Sequence, residues 1–206
     1  MADTLEHLKE LKEIRSLMDK SSRFISLSGL SGVFAGIYAL IGAAAAAWYL
    51  NLHLVAATGT HYMEKEDFYL FFFIDAGLVL LFTIGTGILL TVRQTKKKGQ
   101  KIWDSTSRRL IVNVAIPMMA GGGFIIGLLY HGLVGLVAPA TLVFYGLALL
   151  NGSKYTLTDI RYLAFCQIGL GLISMFFIGY GLLFWVTGFG FMHIIYGTVM
   201  YFKYEK

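Results

Sequence analysis

The sequence predicts an all-α polytopic membrane bundle of six transmembrane helices, with the N and C termini both cytoplasmic. Three observations predict it: six long apolar runs, a charge content far below that of a soluble domain, and basic residues gathered on one side. Of the 206 residues, 57% are hydrophobic and 14% charged, and the mean hydropathy is +0.68. A soluble domain carries about a quarter charged residues, so much of this surface is expected to face something other than water. The apolar runs are too long for barrel strands and lack their period-two alternation.

Taken in order, residues 1–23 come first and are not expected to act as a cleavable signal peptide. They are charged throughout, with apolar side chains at Leu5, Leu8, Leu11, Ile14, Leu17 and Met18 in a helical stripe. Five bases there are balanced by Asp3, Glu6, Glu10, Glu13 and Asp19. A neutral polar face argues against an anionic lipid surface, so this cytoplasmic amphipathic helix is expected to engage a helix of another protein or to pack under its own bundle. The transmembrane domain then fills residues 24–206. A span needs roughly 20 apolar residues, which places spans at about 24–50, 68–92, 110–130, 134–150, 160–180 and 185–202. A tight turn is expected within His131–Pro139, and a second between spans five and six around Thr187, Gly188 and Gly190.

Charge then orients the bundle. With the N terminus inside, sixteen of the seventeen basic residues are cytoplasmic and only Lys65 is outside, in keeping with the positive-inside rule. Five or seven spans would put the tail or a basic loop on the wrong side. The net charge of +5 thus reads as bilayer orientation, and no nucleic-acid partner is expected. Trp48, Tyr49 and Trp185 sit as interfacial anchors. Small residues recur at Ser28, Gly32 and Gly36, at Gly77, Gly85 and Gly87, at Gly121 to Gly123, and at Gly169 with Gly171. Such stripes let helices approach closely and suit a compact bundle or a homo-oligomer within membrane lipids. A weak repeat pairs Tyr145-Gly146, then Lys154-Tyr155, with Tyr196-Gly197, then Lys203-Tyr204.

Polar residues at membrane depth are the functional candidates. Asp75 stands in an apolar run with no charged neighbour in its span; a carboxylate at the bilayer centre costs roughly 2.5 kcal/mol or more. Counting about 1.5 Å per residue from the basic ends puts Asp75, Tyr130, His131 and Tyr180 at heights of about 27 to 33 Å, so they are expected in one outer layer, as a polar cluster or a structural clasp. His193 falls about 15 Å from Lys203, near mid-membrane. It can bond across helices, relay protons or bind haem, but the other membrane histidine, His131, lies much nearer the outside. Asn113 and Gln167 fall about 6 and 9 Å above the cytoplasmic ends and read as helix-packing amides. His53, His61 and His131 with Glu64, Glu66 and Asp67 have the right chemistry for a metal, but they lack a tight ligand spacing, so no metal and no cofactor is expected. Nucleophile-elbow, zinc-protease and cysteine-pair motifs are missing, so no enzyme is expected. Cys166 is the single cysteine.

The run from Leu136 to Leu163 (Leu-Val-Ala-Pro-Ala-Thr-Leu-Val-Phe-Tyr-Gly through Thr-Asp-Ile-Arg-Tyr-Leu), followed by Trp-Val-Thr-Gly-Phe-Gly and His-Ile-Ile-Tyr-Gly, resembles a group of uncharacterised bacterial six-span membrane proteins. The resemblance covers most of the chain after Phe24. It implies a bacterial inner-membrane location and the same fold, and it carries no activity to transfer. Two functions are left in competition: a non-enzymatic sensor or assembly component, and a small oligomeric transporter or channel with Asp75 and His193 on its polar path.

Overall fold

The computed structural model describes residue 7 and residues 28–56, 65–99 and 102–206. The amphipathic helix expected over 1–23 lies outside these residues, His7 apart. Among the described residues there are six helical segments and no strand. They are α1 (Gly29–Ala56), α2 (Lys65–Lys97), α3 (Ser105–Tyr130), α4 (Val137–Gly152, entered through a 3-10 turn at Val134–Leu136), α5 (Ile160–Ser174) and α6 (Ile178–Tyr204). All but α5 are long and apolar enough to cross a membrane.

The polarity of the molecule is inverted relative to a soluble protein. Leu89 is 70% exposed, Met119 77% and Phe176 86%, while Ala39, Ala43, Ala148, Ala164, Gln167, Ser174 and His193 are buried. Lipid tails are as apolar as leucine, so burying large aliphatic side chains drives nothing in a bilayer. Close contact and internal hydrogen bonds hold such helices together instead. At the α1–α6 interface, a Cβ on Gly29 would meet Tyr201 N at 2.4 Å and one on Gly197 would meet Val33 N at 2.5 Å. These two glycines let the backbones touch. α2 packs on the other side of α1, whereas α4 holds α3 and α5 and touches the start of α6.

One end of the bundle is tied together by polar groups. The Glu205 carboxylate accepts the Gly29 N–H and the Ser28 hydroxyl, capping α1 from the far end of the chain. Lys203 Nζ lies 2.5 Å from Asp159 Oδ2, and the Tyr204 hydroxyl donates to the same oxygen at 2.9 Å. The hydrogen bond from Lys203 holds the Asp159 carboxyl below its usual value. α3 begins at the same end with a capping box, in which Asp104 accepts the Ser107 N–H and the Ser107 hydroxyl accepts the Asp104 N–H.

Two boundaries differ from expectation. The fifth segment ends at Ser174, not near 180, and the sixth begins at Ile178, not 185. The break falls at Met175–Phe177, where Phe177 adopts φ −126° and ψ 58°. Hydropathy gives no sign of it, because the turn is as apolar as the helices it joins. The turn expected around Thr187, Gly188 and Gly190 is instead a π-helical stretch, Val186–Met192, inside a continuous helix. The glycines there serve contact: a Cβ on Gly188 would lie 2.5 Å from Leu142 Cδ2, and one on Gly190 2.5 Å from Leu40 Cδ2. The turn expected within His131–Pro139 is present at His131–Gly132, with Gly132 at φ +72°.

Candidate functional site

The π-helical stretch builds the site. Widening a helix to i→i+5 bonds turns carbonyl oxygens outward, where lateral donors can reach them. The Gly188 carbonyl accepts Gln167 Nε2 from α5 at 2.8 Å and lies 3.0 Å from His193 Nδ1. A carbonyl only accepts, so Nδ1 carries the proton and Nε2 is left as the acceptor. Tyr145 of α4 supplies the donor, with its hydroxyl 2.8 Å from Nε2. Gln167 Nε2 is also 3.5 Å from Nδ1, but both are donors, so that approach contributes no bond. The result is a directed chain, Tyr145 O–H to His193 to the Gly188 carbonyl, with Gln167 bonded to the same oxygen. It joins α4, α5 and α6.

Aromatic rings enclose the chain. Phe189 stacks on the His193 ring at 5.8 Å and 13°, and Trp185 and Tyr145 each lie 5.0 Å from Phe189. Beside it lies a cavity of about 190 Å³ whose lining includes Tyr145, His193, Tyr196, Ala35 and, from α2, Thr83 and Gly87. The Tyr196 hydroxyl is buried and has no hydrogen-bond partner among the described residues. Gln167 Oε1 and Ser174 Oγ are likewise buried and unpartnered. Buried polar groups are nearly always satisfied, and the Tyr196 hydroxyl, closed off from partner and cavity alike, is an exception.

The residues expected to matter separate into three groups. His193 and Gln167 meet in this site. Asn113 lies elsewhere, on α3, where its backbone carbonyl and Oδ1 accept Asn151 Nδ2 from α4 at 2.9 and 3.2 Å. Asp75, Tyr130, His131 and Tyr180 are joined by no hydrogen bond to one another among the described residues. Asp75 is half-buried against α1, where a Cβ on Gly42 would meet both its carboxylate oxygens at 3.4 Å. Tyr130 and His131 touch each other edge to face at 5.2 Å and are both exposed, and Tyr180 is exposed in the short turn that opens α6. α2 packs on α1 and α3 on α4, which keeps the Asp75 side chain on a different flank from Tyr130.

His61 and Glu64 of the metal-type loop set lie outside the described residues, as does the His53 side chain. Among the described residues no group of three metal-binding side chains forms. Both ring nitrogens of His193 are engaged, one as donor and one as acceptor.

Sequence reasoning did not single out Tyr145, Tyr196, Gly188 or Asn151 as site residues. The signal for the first two was present in the Tyr-Gly repeat, which brings Tyr145 and Tyr196 to one cavity. No family model matches the chain, and neither a curated protein nor a solved structure does.

Proposed function

We propose that this chain is a non-enzymatic sensor of the bacterial inner membrane. In this reading all six helices span the bilayer, the termini are cytoplasmic, and the cavity beside Tyr145 and His193 takes a small, mostly apolar molecule with one polar end. The observation that carries it is a 190 Å³ cavity with a mostly apolar wall, lined by Tyr145 and His193 of the polar chain. Ligand sites are concave and mainly apolar, with a few placed polar groups that fix orientation. Occupancy would be felt by three helices at once, since the Tyr145–His193–Gly188–Gln167 chain links α4, α5 and α6.

The test is extraction of the protein purified from its own membrane, with mass spectrometry of what is released. The wild type is expected to carry a stoichiometric compound that Ala35→Leu and Gly87→Leu lose. Gly87 suits this because a Cβ there has no atom within 4 Å, so the leucine fills the cavity without striking backbone. Equal yields from all three proteins would end the reading.

A second reading, a small oligomeric transporter or channel, has one observation behind it. The Asp75 carboxylate lies at membrane depth with no hydrogen bond among the described residues, and such carboxylates commonly line substrate or ion paths. Unchanged flux through vesicles for Asp75→Asn and His193→Ala would dismiss it.

A further inference from the structure

A second concavity lies on the opposite side of α4, outside the cavity and its polar chain. It is a groove of about 610 Å³ between α3, α4 and α5. Its floor is apolar, formed by Pro117, Phe144, Leu147 and Phe165, and its mouth carries Asn151, Lys154 and Arg161. Phe144 stands ten residues before Lys154, so the groove runs about 15 Å from the basic end toward the middle of the bundle.

We propose that this groove binds one anionic phospholipid, its phosphate between Lys154 and Arg161 and an acyl chain along Pro117, Phe144 and Phe165. Both cations are exposed, and neither side chain has an ion pair or hydrogen bond among the described residues. The described acids at this end are already taken by their own chain: Asp159 by Lys203 and Tyr204, Glu205 by Ser28 and Gly29, Asp104 by Ser107. A second copy of the chain therefore offers no free described carboxylate to this mouth, whereas a lipid phosphate meets both cations. Asn151 spends its Nδ2 on Asn113, which leaves its Oδ1 to accept from a headgroup hydroxyl. Basic pockets between helices at the membrane surface select anionic headgroups through such contacts, and the apolar floor excludes water from the rest.

The proposal needs the bilayer orientation but not the cavity ligand, so the two can fail separately. Detergent-purified protein is titrated with phosphatidylglycerol or phosphatidylcholine of equal chain length, and bound lipid is read by native mass spectrometry and by the thermal midpoint. One phosphatidylglycerol is expected to be retained and to raise the midpoint, with phosphatidylcholine doing neither. Removing both charges with Lys154→Gln and Arg161→Gln should weaken retention about thirtyfold, at about 1 kcal/mol per cation. The charge-conserving pair Lys154→Arg and Arg161→Lys should keep retention within about threefold, since both cations remain. Leu147→Trp should fill the groove and lose the lipid while both cations stay. Equal retention of the two lipids, or undiminished phosphatidylglycerol binding after charge removal, overturns the proposal. So does equal stabilisation by water-soluble glycerophosphate, which would make this a site for free phosphate.

Discussion

At the residue scale, two tyrosines at one cavity are asked to do opposite things. Tyr145 donates to His193 Nε2, so Tyr145→Phe strands a buried acceptor. Tyr196 has no partner, so Tyr196→Phe removes a hydroxyl that has lost its water and gained nothing. Cross-helix hydrogen bonds in membrane proteins contribute about 0.6 kcal/mol on average, and stranding a buried group costs about 1–3 kcal/mol. In protein washed free of extractable compounds, Tyr145→Phe is expected to cost about 1 kcal/mol and Tyr196→Phe less than about 0.5 kcal/mol. Reversible unfolding in mixed micelles measures both, and the reverse order would show that the Tyr196 hydroxyl is satisfied. His193 and Gln167 were legible in the sequence because a polar side chain at membrane depth needs a partner. Tyr145 was not, since tyrosine is common in this chain and usually belongs to the interface. Gly188 was read as a turn, because glycine for close contact and glycine for a turn look the same without a partner helix in view.

At the element scale, α3 shows how a helix with an internal proline stays whole. Pro117 has no N–H, so the carbonyl of Asn113, four residues earlier, lacks its donor. Asn151 Nδ2 from α4 supplies one at 2.9 Å, the kind of re-satisfaction that lets proline persist in a membrane helix. Asn113 was expected to act as packing glue through its side chain, and its backbone carbonyl turns out to receive the shorter of the two bonds. The rescue predicts a specific epistasis. Asn151→Leu should cost about 1 kcal/mol, and Pro117→Ala should recover most of it, because the new alanine N–H satisfies the same carbonyl. A double-mutant cycle on unfolding free energies reads this directly, and additive costs would show that the Asn113 side chain, not the proline, sets the need for Asn151. The glycine stripes were legible as contact surfaces only in part. Gly32 and Gly36 of α1 meet α6, Gly121 meets Phe144 and Gly171 meets Val143, while Gly77, Gly85, Gly122, Gly123 and Gly169 face open space. Spacing along one helix says which residues share a face and says nothing about which face finds a neighbour.

At the scale of the whole molecule, the polar clasps decide which termini share an end. Glu205 caps α1, Lys203 and Tyr204 hold the α4–α5 turn at Asp159, and Asn151 near the end of α4 reaches Asn113 near the start of α3. The starts of α1, α3 and α5 and the ends of α4 and α6 therefore meet at one end, the basic one. Ser28 and Glu205 thus share an end with six described helices between them, the arrangement that the proposed six-span topology needs. α5 has 15 residues, about 22 Å at 1.5 Å per residue, short against a hydrocarbon core of about 30 Å. Its exit turn carries exposed Met175, Phe176 and Phe177, which have no reason to avoid the bilayer. A Cβ on Gly135, in the turn leading into α4, would lie 2.4 Å from Ile178, so the two short turns pack at one level. In the proposed topology α5 is the short crossing, which does not reach bulk water on its own. Single cysteines placed by Ser105→Cys and by Lys206→Cys, in a background where Cys166 is alanine, should both react with a membrane-impermeant maleimide from one face and be silent from the other. Met175→Cys should react slowly from either face, because its turn stays within the apolar layer. Labelling of positions 105 and 206 from opposite faces would mean that α5 does not carry the chain back across, and the shared basic end would then have to be abandoned.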